Sequence, residues 1–256
     1  MTVKDIAATQ GVGVQTQTRL SRRTLLIGAP ALFAFAAALR LYEEFFGWST
    51  GLDSFSPEYQ LYWSNLLTAG VAAAFLAAIG VVGYFWRTRD RHLDALAPRE
   101  EVSRLFTLAQ WLTLFALALF FGLSFFTEQT AVWHMTAVRD TDFTPSNIIT
   151  FYIAYPTFVV LGLAAYFYAK TRLPLFAKGY ALAFVVLVVG TFMTLPNVAF
   201  NEWGHTFWSL DEGFAGPLHW GFVFFGWMSL GSFGVTLLIL GRLRALLGEE
   251  GVKALR

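Results

Sequence analysis

Long stretches of this chain carry no Asp, Glu, Lys or Arg. Uncharged blocks run from Tyr59 to Trp86, Leu105 to Thr127, Phe143 to Ala169, Gly179 to Asn201 and Gly213 to Gly241. Each exceeds the roughly 20 residues that a helix needs to cross about 30 Å of hydrocarbon. A sixth block, Thr24 to Leu39, ends at Arg40. Glu43 and Glu44 lie three and four positions further on, within helical pairing distance of that arginine. The first span is therefore expected to continue to about Trp48. The pattern predicts an all-α, polytopic membrane protein of about six transmembrane helices. The expected division is a polar arm over residues 1–23, a transmembrane bundle over 24–245 and a tail over 246–256.

Charge sets the expected orientation. The N-terminal arm, the second-to-third and fourth-to-fifth connections and the tail together hold 16 of the 18 basic residues. Six alternating helices put all four on one side, and the positive-inside rule makes that side the cytoplasm, with both termini there. Ser21-Arg22-Arg23-Thr24-Leu25-Leu26 also resembles a twin-arginine export signal, but the alternation works with the first helix kept. Trp48, Trp63, Trp86 and Trp208 fall near span ends and are expected to be interfacial anchors.

Composition narrows the function. Charged residues are 14% of the 256 and hydrophobic residues 56%; mean hydropathy is +0.55. A soluble domain carries about 25% charged residues. There is no cysteine, which excludes disulfides, thiolate metal sites and iron–sulfur clusters. A net charge of +1 gives nucleic acid no electrostatic footprint. A channel or transporter would need charges or broken helices at mid-membrane, and spans two to six hold no charge at their centres.

Three of the four histidines, His134, His205 and His219, fall toward the outer ends of the expected helices. Asn201 and His205 are four apart, on one stripe of a continued fifth helix and about 6 Å from each other. His219 follows Pro217 at the entry to the sixth. Two imidazoles and an amide oxygen, without sulfur, suit copper, zinc or iron and leave a coordination position open. On spacing alone the alternative stands that Asn201 caps a helix end while the histidines bond backbone carbonyls. A second polar cluster runs from Glu128 through His134 to Arg139-Asp140-Thr141-Asp142, where an outer ion-pair network is expected. Pro145 or Ser146 is expected to open the fourth helix.

Trp133-His134-Met135-Thr136, Arg139-Asp140-Thr141-Asp142-Phe143-Thr144-Pro145-Ser146, Asn201-Glu202-Trp203-Gly204-His205-Thr206-Phe207-Trp208 and Pro217-Leu218-His219-Trp220 resemble the signature of the C subunit of the copper membrane monooxygenases. That family comprises the particulate methane, ammonia and related hydrocarbon monooxygenases. The resemblance runs from about residue 40 to the C-terminus. It implies a subunit that works with A and B partners in a trimer of heterotrimers. Such a complex inserts one oxygen atom from dioxygen into methane, another short hydrocarbon or ammonia, with copper as cofactor and quinol or another electron donor. It implies lipid surroundings in a bacterial inner or intracytoplasmic membrane, with the metal loops on the periplasmic side.

In the family, Asn201, His205 and His219 correspond to one copper site. Glu202, Asp211 and Glu212 are candidates to orient those ligands. A second family site pairs an aspartate with two histidines. Here those positions are Thr130, His134 and Asn147. A threonine hydroxyl and an amide are weak copper donors, and losing the carboxylate removes the charge that offsets the ion. This second site is expected to be empty or weak. Glu128 lies two residues from Thr130, but its direction on a helix differs by about 200°. A non-catalytic, structural subunit that has lost one metal site is the alternative function.

Overall fold

The computed structural model describes residues 20–136, 144–192 and 220–253. Those residues fold as a helical membrane bundle. Five of the helices contain stretches long and apolar enough to cross a bilayer.

Helix α1, Arg23–Phe46, ends in a tight connection where Gly51 adopts a left-handed backbone (φ 64°). The connection is closed by Trp63, whose indole N–H donates to the Thr50 carbonyl at 2.8 Å. Trp63 is wholly buried and stacks edge-on against Tyr42 at 5.4 Å. It therefore anchors the turn between two helices and does not float at the lipid interface, as its position near a span end suggests. Trp48 and Trp86 are exposed, as interfacial anchors are.

Helix α2, Pro57–Arg87, starts at a serine cap, with the Ser56 hydroxyl accepting the Tyr59 N–H. Phe85 is the buried residue of its long Asn65–Arg87 stretch; the remainder of that stretch is partly or fully exposed. In a bilayer, that surface meets lipid or a partner helix.

Helix α3, Pro98–Thr136, is 39 residues long and forms the spine of the bundle. It outruns the uncharged block Leu105–Thr127 at both ends. Its first turn keeps Glu101 buried because Arg242 clamps that carboxylate with two hydrogen bonds, 2.7 and 2.8 Å. Once paired, a charge no longer marks a helix boundary.

Helix α4, Pro145–Arg172, opens on Pro145, with the Thr144 hydroxyl capping the Asn147 N–H at 3.3 Å. A single wide turn interrupts it at Thr150–Ala154. Helix α5, Leu182–Phe192, and helix α6, Trp220–Lys253, pack as an antiparallel pair. Helix α6 is broken at Gly248 (φ 70°), beyond its apolar stretch. The fifth of the six expected spans is represented by the 11 residues of α5.

The order of contacts fixes the arrangement. Helix α3 packs on α1, α4 and α6, and α4 packs on α2 and α5. The main core is aromatic and aliphatic, built on Leu105, Phe115, Phe158, Phe184 and Leu187. A second core, around Trp63, Ile148 and Ile149, holds the opposite end of α1 against the start of α4.

Basic residues collect at one end. Arg104 pairs with Asp90 at 2.8 Å and donates to the Arg172 carbonyl, while Arg172 donates to Thr88. Lys178 reaches Asp94 at 3.0 Å. These bonds tie together two of the segments that carry the chain's positive charge, the α2–α3 and α4–α5 connections.

Candidate metal centre

The first predicted site hangs on the α5–α6 pair. Its residues Asn201, His205 and His219, together with Glu202, Asp211 and Glu212, lie outside the described residues. So do Arg139, Asp140 and Asp142 of the expected outer network. What is described is the scaffold that leads to the site from both sides.

That scaffold is tight. A Cβ on Gly231 would sit 2.6 Å from the Leu187 backbone nitrogen, and one on Gly234 would sit 2.7 Å from the Ala183 side chain. One turn further toward the site, Gly190 lies against Trp227 and Met228. Small residues let the two backbones approach, the usual means of packing helices in lipid. Leu187 opposite Gly231, Ala183 opposite Gly234 and Gly190 opposite Met228 define a single antiparallel register. The α5–α6 pair is therefore a rigid stem.

The second predicted site is described in part. Asn147 is the third residue of α4, its backbone N–H held by the Thr144 cap, and its side chain is 1% exposed. Thr144, Ser146 and Thr150 beside it are also buried. This is a polar first turn enclosed by apolar neighbours, including Ile148, Ile149 and Ile153. Thr130 and His134 lie on the last turns of α3; their side chains are outside the described ones. The start of α4 packs against both α3 and α1.

Sequence reasoning misses one residue at this end. Spacing alone lets Glu43 share Arg40 with Glu44. In the structure Arg40 pairs with Glu44 at 3.7 Å and donates to the Phe125 carbonyl of α3. Glu43 is turned inward, 0% exposed, and neither of its carboxylate oxygens has a hydrogen-bond partner among the described residues. A signal is present in the pattern. Glu43 falls on the stripe of Leu32, Ala36 and Leu39, the stripe that packs inward, whereas Glu44 falls beside it.

Among the described residues, no three His, Asp, Glu or Cys side chains gather closely enough to hold an ion. Of the candidate ligands named from the sequence, Asn147 alone has its side chain among the described ones.

Comparison with known proteins supplies the rest. No curated protein matches the chain. The family described as the C subunit of ammonia monooxygenase/methane monooxygenase matches residues 6–250. The match takes in helices α1 to α5, nearly all of α6, the segment carrying Asn201, His205 and His219, and the segment carrying Thr130, His134 and Asn147. The charged network, the helical bundle and the histidine-bearing sequence segments therefore belong to one established protein type: this chain is a member of the family of ammonia monooxygenase/methane monooxygenase C subunits.

Proposed function

We propose that the chain is the copper-bearing C subunit of a membrane monooxygenase that inserts one oxygen atom from dioxygen into methane, another short hydrocarbon or ammonia. Asn201, His205 and His219 hold the copper. The observation that carries the reading is the α5–α6 register. Leu187 faces Gly231 and Gly190 faces Met228. In sequence, Asn201 and His205 follow α5 and His219 immediately precedes α6, so the close packing of this pair supports the reading. The donor set fits the ion: two neutral imidazoles and an amide oxygen match copper, and a fourth position stays open for a reactant.

Copper at that point would supply the redox chemistry with dioxygen. The residues of this chain do the rest. The two imidazoles fix the ion near the outer boundary of the membrane. Glu202, Asp211 and Glu212 orient the imidazoles through their second ring nitrogens. The surrounding Phe and Trp residues admit a lipid-soluble substrate and limit water. A and B subunits complete the assembly as a trimer of heterotrimers, and a quinol or equivalent donor supplies two electrons. The complex sits in a bacterial inner or intracytoplasmic membrane, with the metal loops on the periplasmic side and both termini in the cytoplasm.

The test is His205→Ala in the assembled complex. Copper should fall by about one equivalent per copy of this chain, and oxygenase activity should drop at least about a hundredfold, as metal-ligand loss does. Unchanged copper and activity would remove the proposal. The replacements at Thr130 and Asn147 favour a second reading, a structural subunit with chemistry elsewhere in the complex. Under it, His205→Ala lowers complex yield while activity per assembled complex persists.

A further inference from the structure

Helices α1 and α2 form the walls of an apolar groove. Each wall is drawn onto its own neighbour. A Cβ on Gly28 of α1 would sit 2.6 Å from Leu114 of α3, and one on Gly70 of α2 would sit 2.7 Å from Ile153 of α4. Helix α1 thus packs on α3 and α2 on α4, while α1 and α2 do not pack on each other along the groove. The gap between the two pairs has a volume of about 780 Å³. Its floor is Trp111 and Leu114 of α3 with Ile153, Pro156 and Val160 of α4.

The two ends of the groove differ. Just past Leu39 and Leu66, the Tyr42 hydroxyl donates to the Tyr62 carbonyl at 3.0 Å, and the Tyr42 ring packs edge-on against Trp63 at 5.4 Å. Those contacts join α1 to α2 and close the groove. At the other end Arg23 is exposed, and it is the one charged residue of the lining. No acidic residue lines the groove. This open end is the basic end of the molecule. The Leu25 N–H bonds the Gln110 side chain, and Arg104 of the inner network lies on the same helix α3, about 9 Å along the axis. An arginine stem spans much of that distance over apolar surface and brings its head to the interface. From Arg23 to Leu39 the groove runs about 24 Å along α1, most of the roughly 30 Å of hydrocarbon.

Within a bilayer such a groove fills with apolar matter. Bare walls forfeit dispersion contacts, and water needs polar partners that the lining lacks. Spread along its length, the volume leaves a cross-section of about 30 Å², well below what a helix about 10 Å across needs. Acyl chains are slender enough to reach the floor, and their head group then falls where Arg23 stands. A guanidinium takes phosphate in a two-pronged hydrogen bond, and basic residues beside a gap between membrane helices suit anionic lipid heads. We propose that the α1–α2 groove is a binding site for an anionic phospholipid of the leaflet at the basic end. Arg23 holds its phosphate, and its acyl chains lie on the α3–α4 floor and run toward the Tyr42–Tyr62 closure. The site shares no residue with the proposed copper ligands.

The experiment is photo-crosslinking of the purified, assembled complex in phosphatidylcholine vesicles that contain a small share of a phospholipid with a diazirine at the end of one acyl chain. The probe is phosphatidylglycerol, which is anionic, or phosphatidylcholine, which is not. Cross-links are mapped by peptide mass spectrometry and expressed relative to those on the rest of the complex. The phosphatidylglycerol probe should label Ile153, Pro156 and Val160 about fivefold more than the phosphatidylcholine probe, the effect of one arginine at a lipid head. Arg23→Gln should level the two probes. Ala73→Trp, which fills the groove from an exposed position on α2, should remove the label from both. Three results overturn the inference: no label on the α4 floor of the wild type, as a partner helix covering the groove would give; equal label from the two probes; or a preference for phosphatidylglycerol that survives Arg23→Gln. The first two are read on the unaltered complex and hold even where a variant fails to assemble. None of the three bears on Asn201, His205 and His219.

Discussion

Asp90 shows how a single side chain at the inner face locks several helices. Its carboxylate accepts the His92 backbone N–H at 2.9 Å and pairs with Arg104 at 2.8 Å, and its own N–H bonds the Thr171 carbonyl. The His92 N–H first, and then Arg104, hold the Asp90 carboxyl below its ordinary value of 3.8. A carboxyl depressed in the folded state contributes stability that is fully present above its unfolded value and lost as pH falls through the folded one. Asp90→Asn should cost about 1 kcal/mol at neutral pH, within the range for one charge-assisted hydrogen bond near a surface. The cost should shrink below pH 3.8, the ordinary value, as the wild-type carboxylate itself takes up a proton. Melting temperatures of the solubilised complex at pH 7 and below about pH 3.5 check this; an equal loss at both values contradicts it. Glu43 is the contrasting case at the same scale, a buried carboxyl whose oxygens have no hydrogen-bond partner among the described residues.

At the scale of elements, the α5–α6 stem adjoins in sequence the residues proposed to hold copper. Gly231 lies so close to the Leu187 backbone that any side chain must push the helices apart. Gly231→Val should destabilise the pair by about 1–3 kcal/mol, the range for overpacking a filled contact. Because Asn201 and His205 follow one arm and His219 precedes the other, the variant should also weaken copper binding with every proposed ligand intact. Copper affinity of the variant complex is the measurement; wild-type affinity would mean that the stem does not set the site. The same elements show what can be read from sequence and what cannot. The spans were legible because lipid tolerates no unpaired charge, so the uncharged blocks marked α1 to α4 and α6 directly. The extent of α3 was not, because the Glu101–Arg242 pairing that lets the helix begin at Pro98 joins residues 141 apart. The histidine spacing singles out Asn201, His205 and His219 as a candidate site, and those residues lie outside the described ones. The burial of Glu43 was hidden, since a glutamate at a span end reads as solvated until a third helix is known to cover it.

The whole molecule is asymmetric along the membrane normal, and this asymmetry sets where the chemistry faces. One end carries Thr88, Asp90, Arg104, Arg172 and Lys178 in a bonded network. The other end carries the Trp63-anchored turn, the start of α4 and the emerging ends of α5 and α6. If the basic end is cytoplasmic, the candidate metal centre opens to the periplasmic side. The absence of cysteine from all 256 residues permits a clean test, because any introduced thiol is the only one in this chain. Phe55 is 87% exposed in the α1–α2 turn, and Arg91 is exposed in the opposite connection. In intact cells whose outer layers admit the reagent, a maleimide that cannot cross the inner membrane should label Phe55→Cys. It should label Arg91→Cys only after that membrane is opened. The reverse pattern would turn the molecule over. The basic network would then face outward, against the positive-inside rule, and the copper ligands would face the cytoplasm. Two-sided labelling of either variant would mean that α2, whose long apolar stretch is barely covered by the rest of the chain, does not cross the membrane as a single span.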